Sequence, residues 1–198
     1  MLQLIETICF EHGKFQRISL HEERMNRSRH MLFGIEKPIS FGSLLRIPSE
    51  MAEQKIRCRV TYAETIENIE YEEYILKNIG GLLLVFDDSI DYSHKFRNRD
   101  CLNHWLNQRG TADEILIVKN GRITDTSFSN IVFLRNGTWF TPEYPLLPGT
   151  RRADYLEKKM IFSANIRPED LNLYEEARLI NAMRPLEDAE PIPISKIN

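Results

Sequence analysis

The stretch Lys119–Phe140, KNGRITDTSFSNIVFLRNGTWF, decides the fold class. It carries Asn-Gly twice, at 120–121 and 136–137. Both residue types tolerate the positive φ that a two-residue hairpin turn demands, so each pair predicts a tight reversal between antiparallel strands. The flanking runs Glu114–Val118, Ser129–Leu134 and Thr138–Thr141 are rich in apolar and β-branched residues, as strands are. Asp125 falls just past a hairpin strand, in a Ser/Thr-rich turn where a carboxylate caps local N–H groups. Asn130, on the same loop, is placed to brace it.

Working outward, hairpins recur. Leu2–Phe10 reads as a strand, Glu11-His12-Gly13 as a turn and Phe15–Leu20 as a return strand. A polar helix is expected from His21 to Phe33, with Met25, Met31 and Leu32 as its apolar stripe and Gly34 as its stop. Pro38 and Pro48 bracket a second short helical stretch. Lys55–Ala63 alternates polar and apolar residues, and Ile69–Leu76 is its expected partner. Asn78-Ile79-Gly80-Gly81 is the most linker-like spot, ahead of a buried-looking strand, LLLVF. This predicts a small α/β domain over 1–79 and a larger domain over 80–198. Leu102–Gln108 reads as a helix, Leu147-Pro148-Gly149-Thr150 opens another with Ala153, Leu156 and Met160 on one face, and Ala177–Ala182 is strand-like. Hairpins with a few helices make the chain α+β.

Composition narrows the function classes. The 198 residues are 42% hydrophobic and 28% charged, with a net charge of −3. With a pI near 6.0, the basic footprint of a nucleic-acid binder is absent globally. The longest apolar run, Leu82–Phe86, is too short to span a bilayer, so no membrane partner is expected. No signal-peptide pattern opens the chain. The three cysteines, Cys9, Cys58 and Cys101, lack metal-ligand spacing, so no metal site and a reducing, cytoplasmic setting are expected.

Four segments can carry chemistry. DYSHKFRNRDCLN, Asp91–Asn103, is either a solvated loop or the setting for a reactive Lys95. Neighbouring cations such as Arg97 and Arg99 lower an amine's pKa and free it for Schiff-base chemistry. His21, Arg24 and Ser28 share one helical face, although Glu23–Arg27 ion pairing offers a plain surface reading of the same helix. The Pro-Gly turn before Thr150 opens a helix whose free N–H groups suit a phosphate. The fourth segment is Gly121–Phe133, with Asp125 and Asn130.

Together, in order and spacing, these segments resemble the class IV pyridoxal-phosphate enzymes: branched-chain and D-amino acid aminotransferases and 4-amino-4-deoxychorismate lyases. The resemblance runs through Glu6-Thr7-Ile8, His21–Ser28, Lys95, Gly121–Asn130, Thr141-Pro142 and Leu147–Arg152, nearly the whole chain. It implies a D-amino acid aminotransferase-like fold, a small α/β domain followed by a larger barrel-like one, and a homodimer acting on a small-molecule substrate. It implies pyridoxal 5'-phosphate as cofactor. Lys95 would be the Schiff-base lysine and proton shuttle. Arg24 and the backbone N–H groups of Thr150 and Arg151 would hold the phosphate, and Asp125 would pair with the pyridine nitrogen. The chain departs from the family in three ways. Asp125 stands where Glu is usual, Asp100 where aminotransferases often carry Tyr, and the N-terminal domain is short.

Within the family, KFRNR, Lys95–Arg99, and LINAMRP, Leu179–Pro185, look more like the lyases than the aminotransferases. By that alignment Asn181 and Ala182 would lie near the phosphate. The implied activity is a lyase giving 4-aminobenzoate and pyruvate, a step in folate precursor synthesis. A class IV aminotransferase of branched-chain or D-amino acids is the alternative; Arg152, Arg178 and Arg184 are its unranked candidates for binding a substrate carboxylate. A non-catalytic phosphate- or RNA-binding module, built on KFRNR and RRADYLEKK, is the third reading.

Overall fold

The structure is a computed structural model that describes residues 2–198. The chain forms two compact units. The first is the chain through Ile75 together with His94–Asn98; the second is Leu76–Ser93 with Arg99–Asn198. The division falls a few residues before the Gly80-Gly81 spot. The five-residue return arises because this segment adds to the first unit's sheet: Ile5 N–H donates to the Lys95 carbonyl (2.9 Å) and Arg97 N–H to the Gln3 carbonyl (2.9 Å).

In the first unit, β1 (Leu4–Glu11), β2 (Lys14–Phe15), β3 (Ile56–Tyr62) and β4 (Ile66–Glu73) form an antiparallel sheet in the order β2-β1-β3-β4. The expected return strand is only two residues long. Arg17 adopts a left-handed conformation (φ 51°), which ends the strand and starts helix α1 (Ile18–Phe33). Gly34 stops that helix as expected, at φ 70°, with its N–H turned back to the Arg29 and His30 carbonyls.

The stripe of α1 differs from the expected one. Met25 is buried, but Met31 is exposed, and the rest of the inward face is His21, Arg24, Ser28 and Arg29. The Glu23–Arg27 pair exists at 3.7 Å, on the solvent side. The His21–Arg24–Ser28 face and the ion-paired face are therefore opposite sides of one helix. The helix expected between Pro38 and Pro48 does not form. Side chains of α1 capture the backbone there: Asn26 bonds both the N–H and the carbonyl of Ile39 (2.9 Å each), and Glu22 accepts from Phe41 N–H (2.5 Å).

In the second unit, β5 (Leu82–Phe86) runs parallel to β6 (Glu114–Lys119), and helix α2 (Asp100–Leu106) lies between them in sequence. Then follow β7 (Arg122–Thr126), β8 (Asn130–Arg135) and β9 (Thr138–Pro142), joined by the two Asn-Gly turns and the 126–129 turn. All four Asn-Gly residues have positive φ, between 50° and 72°. Helix α3 (Thr150–Glu157) leads to β10 (Phe162–Ala164), parallel to β9. It ends before Met160, which is exposed. Its buried residues are Thr150, Arg151, Arg152 and Tyr155 rather than the expected Ala153–Leu156–Met160 face. β11 (Glu176–Ile180) pairs with β8 and with β12 (Ile192–Pro193).

The last residues then pair with β5, Leu84 N–H to Asn198 O at 2.6 Å and Asn198 N–H to Leu82 O at 3.0 Å. This brings the sheet round in the expected barrel-like manner. Inside it lie Leu82, Leu116, Val118, Ile123, Ile131, Phe133, Ala177 and Leu179. Strand β5 is less buried than its composition suggests, since Phe86 is exposed. Among the described residues no helix is long and apolar enough to cross a membrane.

Candidate functional site

The sequence-selected residues gather into two clusters, one in each unit. In the first, β1 alternates so that Leu4, Glu6 and Ile8 face the same way, and Leu4 and Ile8 pack with Met25 of α1. Glu6 is thus carried into an apolar layer, and α1 must answer its charge. His21 Nδ1 lies 2.6 Å from Glu6 Oε2. Arg24 donates Nε to Oε1 (2.9 Å) and Nη2 to Oε2 (2.5 Å), a two-point fork. Burial pushes the Glu6 carboxyl up, but Arg24 and His21 together outweigh it and hold its pKa at about 2. Burial pushes His21 below its ordinary value, so the imidazole is neutral and its Nδ1–H donates to Glu6. Further along the same face, Ser28 Oγ lies 2.9 Å from His94 Nδ1, next in sequence to Lys95. The Glu6-Thr7 motif and the His21–Ser28 motif are therefore two halves of one network. Arg24, expected to bind a phosphate, is committed along its Nε–Nη2 edge to Glu6.

In the second unit the centre is Asp125, 4% exposed. Its Oδ1 accepts from Asn130 Nδ2 (2.8 Å) and its Oδ2 from Leu147 N–H (2.9 Å). Both donors are neutral. Burial pushes the carboxyl up to about 6, against these hydrogen bonds and the charge of Arg152. Asn130 also donates to the Leu147 carbonyl (2.9 Å), which locks the 147–149 turn to the Asp125 strand. Gly149 is required at the end of that turn: a Cβ there would lie 2.0 Å from Asn130 Oδ1. The turn delivers α3 with Gly149 as its N-cap residue, so that its first N–H groups belong to Thr150 and Arg151.

The side chains of α3 bind the remaining motifs. Arg152 donates to the Pro142 carbonyl (2.8 Å) and to Thr141 Oγ1 (3.3 Å), which explains the Thr-Pro dipeptide. Arg151 donates to the Asn181 (2.6 Å) and Ala182 (2.9 Å) carbonyls. Asn181 in turn donates Nδ2 to Ser129 Oγ (2.8 Å), so LINAMRP is tied to both α3 and the 126–129 turn. Lys95 is half-buried in the first unit, beside β1.

Two residues outside the site prediction belong to these networks. Glu6, visible in the sequence only as part of the Glu6-Thr7-Ile8 motif, neutralises the Arg24 cluster. Glu114 holds the tip of the 126–129 turn; its signal was a lone acid at the head of an otherwise apolar strand. The three arginines offered as carboxylate ligands all have structural tasks. Arg152 holds Pro142, Arg178 pairs with Glu176 at 2.8 Å and stacks on Trp139, and Arg184, 1% exposed, donates to the Lys77 carbonyl.

An acid lodged beside a helix start, with a strand-following lysine elsewhere in the chain, suits an anionic cofactor with a basic ring nitrogen. Comparison with known proteins agrees. Residues 83–190 match the model of the amino-transferase class IV family. A Haemophilus influenzae protein of uncharacterized function is 39% identical over 188 residues, covering 94% of this chain and all of that one. The crystal structure of a "putative 4-amino-4-deoxychorismate lyase" from Haemophilus somnus aligns with a TM-score of 0.87 and 38% identity, over 94% of this chain and 98% of that one. A Mycobacterium tuberculosis "hypothetical aminotransferase" in its PLP-bound form shares the fold at 15% identity, with a TM-score of 0.72 over 99% of this chain and 81% of that one. The chain belongs to the class IV aminotransferase family, whose fold is that of pyridoxal-phosphate enzymes.

Proposed function

We propose that the protein is a pyridoxal-phosphate-dependent lyase that converts 4-amino-4-deoxychorismate to 4-aminobenzoate and pyruvate. The observation that carries the cofactor assignment is Asp125, a fully enclosed carboxylate bonded only by neutral donors and pushed up to about 6. A buried acid in that state gains most from a cationic partner such as a protonated ring nitrogen. The residues present therefore fit the group. Pyridoxal phosphate, when bound, supplies an electron sink that stabilises negative charge next to the substrate's amino group.

On this reading Asp125 holds the ring nitrogen protonated, and its shorter side chain is compensated by the tight Asn130–Leu147–Gly149 packing. Thr150 and Arg151 offer their N–H groups to the phosphate at the start of α3. Arg24, oriented by Glu6, adds positive charge. Asn181 and Ala182 brace Arg151 through their carbonyls. Lys95 provides the amine that carries the cofactor and then takes the proton from the ring carbon bearing the substrate's amine. The ring C–O bond to the enolpyruvyl group would break as the ring becomes aromatic, and the released enolpyruvate would take up a proton to become pyruvate. Substrate and the two products balance without a co-substrate.

The choice of lyase over transferase is supported by the Haemophilus somnus relative and by the Asn98-Arg99 and Asn181–Met183 matches. The test has two parts. Purified protein incubated with pyridoxal phosphate is expected to retain a visible absorption band that borohydride bleaches and that Lys95→Ala lacks. Supplied with 4-amino-4-deoxychorismate, it should release equal amounts of pyruvate and 4-aminobenzoate. Turnover only with an amino acid plus 2-oxoglutarate would make it a transferase instead.

A further inference from the structure

The turn Thr126–Ser129 follows Asp125 directly and is held from outside at three of its four residues. Within the turn, Thr126 N–H and Oγ1 both donate to the Ser129 carbonyl (3.0 Å each), and Ser129 N–H donates to Thr126 Oγ1 (3.1 Å). Asn181 donates to Ser129 Oγ, and the Arg184 guanidinium lies over the Phe128 ring at 5.9 Å. The tip, Ser127, is 4% exposed and is held at every polar atom. Its N–H (3.3 Å) and its Oγ (3.0 Å) donate to Glu114, and its carbonyl accepts from Arg99 Nη2 at 2.7 Å.

Arg99 is the residue at which the chain enters the second unit after Lys95 and starts α2; its own carbonyl accepts from Leu102 and Asn103 N–H (3.0 and 2.8 Å). Glu114 is itself buried and pushed up by burial, with the charge of Arg99 acting in the opposite direction. It accepts three donors, Ile115 N–H (2.9 Å) and the N–H and Oγ of Ser127, and so ties the turn to the head of β6.

We propose that Arg99 is a positioning residue for Asp125: together with Glu114 it closes the Ser127 turn, and so fixes the depth at which the Asp125 carboxylate is enclosed. This rests on the reading of Asp125 as the partner of a cofactor nitrogen. It also gives Arg99 of KFRNR a task other than contact with substrate. The charged side chain that bears on Asp125 itself is Arg152, from α3. Arg99 acts through the turn, not through its own field on Asp125.

The test uses the full chain with 13C-labelled aspartate, and Asp125→Asn identifies the resonance. In the unliganded wild type the Asp125 carboxyl is expected to titrate near 6. In Arg99→Ala the loosened turn admits water, and the midpoint should fall by about one pH unit towards the ordinary aspartate range. Arg99→Lys, which restores the charge but not the planar fork, should recover part of that fall. With pyridoxal phosphate added, the affinity of Arg99→Ala should drop roughly tenfold, in keeping with the loss of a positioning contact around a bound group. A variant that loses thermal stability while its Asp125 midpoint and cofactor affinity stay at wild-type values would overturn the proposal. Should Arg99→Ala fail to fold, Arg99→Gln, which keeps part of the stem but removes the charge and the guanidinium donor to the Ser127 carbonyl, carries the same measurement. A wild type that binds no pyridoxal phosphate would sink the cofactor reading, while the titration still decides whether Arg99 positions Asp125.

Discussion

Each unit buries one acid deeply, and the two acids are treated in opposite ways. Glu6 is completely enclosed, yet Arg24 and His21 hold it at about 2. Asp125 is enclosed almost as fully, receives an amide and a backbone N–H, and rises to about 6. The first charge is answered from within the protein, so that cluster is complete as folded and orients Arg24. The second is answered only in part, so its enclosure costs stability, a cost that a cationic partner would offset. Burial alone does not mark a binding residue; burial without a bonded counter-charge does so much more sharply.

The largest expected effect comes from breaking the complete pair. Glu6→Gln leaves Arg24 buried beside neutral atoms, and removing one partner of a buried ion pair costs about 3–5 kcal/mol. Urea unfolding at pH 7 should show that loss. The difference from wild type should shrink as pH falls from 4.5 towards 2, because the low folded pKa of Glu6 contributes stability only while the free carboxyl is ionised. A mutant as stable as wild type at pH 7 would mean the pair is a surface-like contact.

Asp125→Asn should do the opposite to the unliganded protein. A carboxyl raised from 3.8 to about 6 is fully favourable only below 3.8 and costs about 3 kcal/mol once pH exceeds its folded value. The amide removes that cost but sets a second donor against Asn130, so a net gain of about 2 kcal/mol is expected at pH 7.5, within the range for such trades. The gain should vanish by about pH 4 as wild-type Asp125 takes up its proton. Cofactor affinity should fall at least tenfold in the same variant. Stabilisation together with intact cofactor binding would break the contrast between the two acids.

The smallest of the three effects concerns the packing that holds Asp125. Gly149→Ala places a methyl 2.0 Å from Asn130 Oδ1 and must push that side chain off Asp125. A loss of about 1 kcal/mol, at the lower end for overpacking, should appear in thermal unfolding. Cofactor affinity should fall with it.

Much of the second unit was legible because its turns are chemically explicit. Asn120-Gly121 and Asn136-Gly137 adopt the positive φ that their side chains permit, and the strands between them follow. The first unit hid more. The sequence offers an apolar stripe for α1, but the buried face includes His21 and Arg24, whose stabilising partner lies on β1, and Ser28, which meets His94. No window centred on the helix contains Glu6. The stretch from Pro38 to Pro48 has helical composition, but Asn26 and Glu22 had already taken its backbone groups. At the candidate site, residue types and order were readable from the motifs, because each motif supplies a bond to another. What could not be read was the direction of those bonds: that Arg151 faces Asn181, that Arg152 faces Pro142, and that Glu114 reaches Ser127.

The contact between Gly149 and Asn130 also has a consequence for descent. The two positions lie on different elements, yet neither can be altered without regard to the other. A methyl at 149 is harmful while Asn130 keeps its rotamer, and a smaller residue at 130 gives up the brace on Asp125 before any side chain at 149 can make use of the space. Routes between sequences that differ at both sites therefore pass through a disfavoured intermediate whichever change comes first. Once established, the glycine is retained less for its own freedom than for what its neighbour must hold.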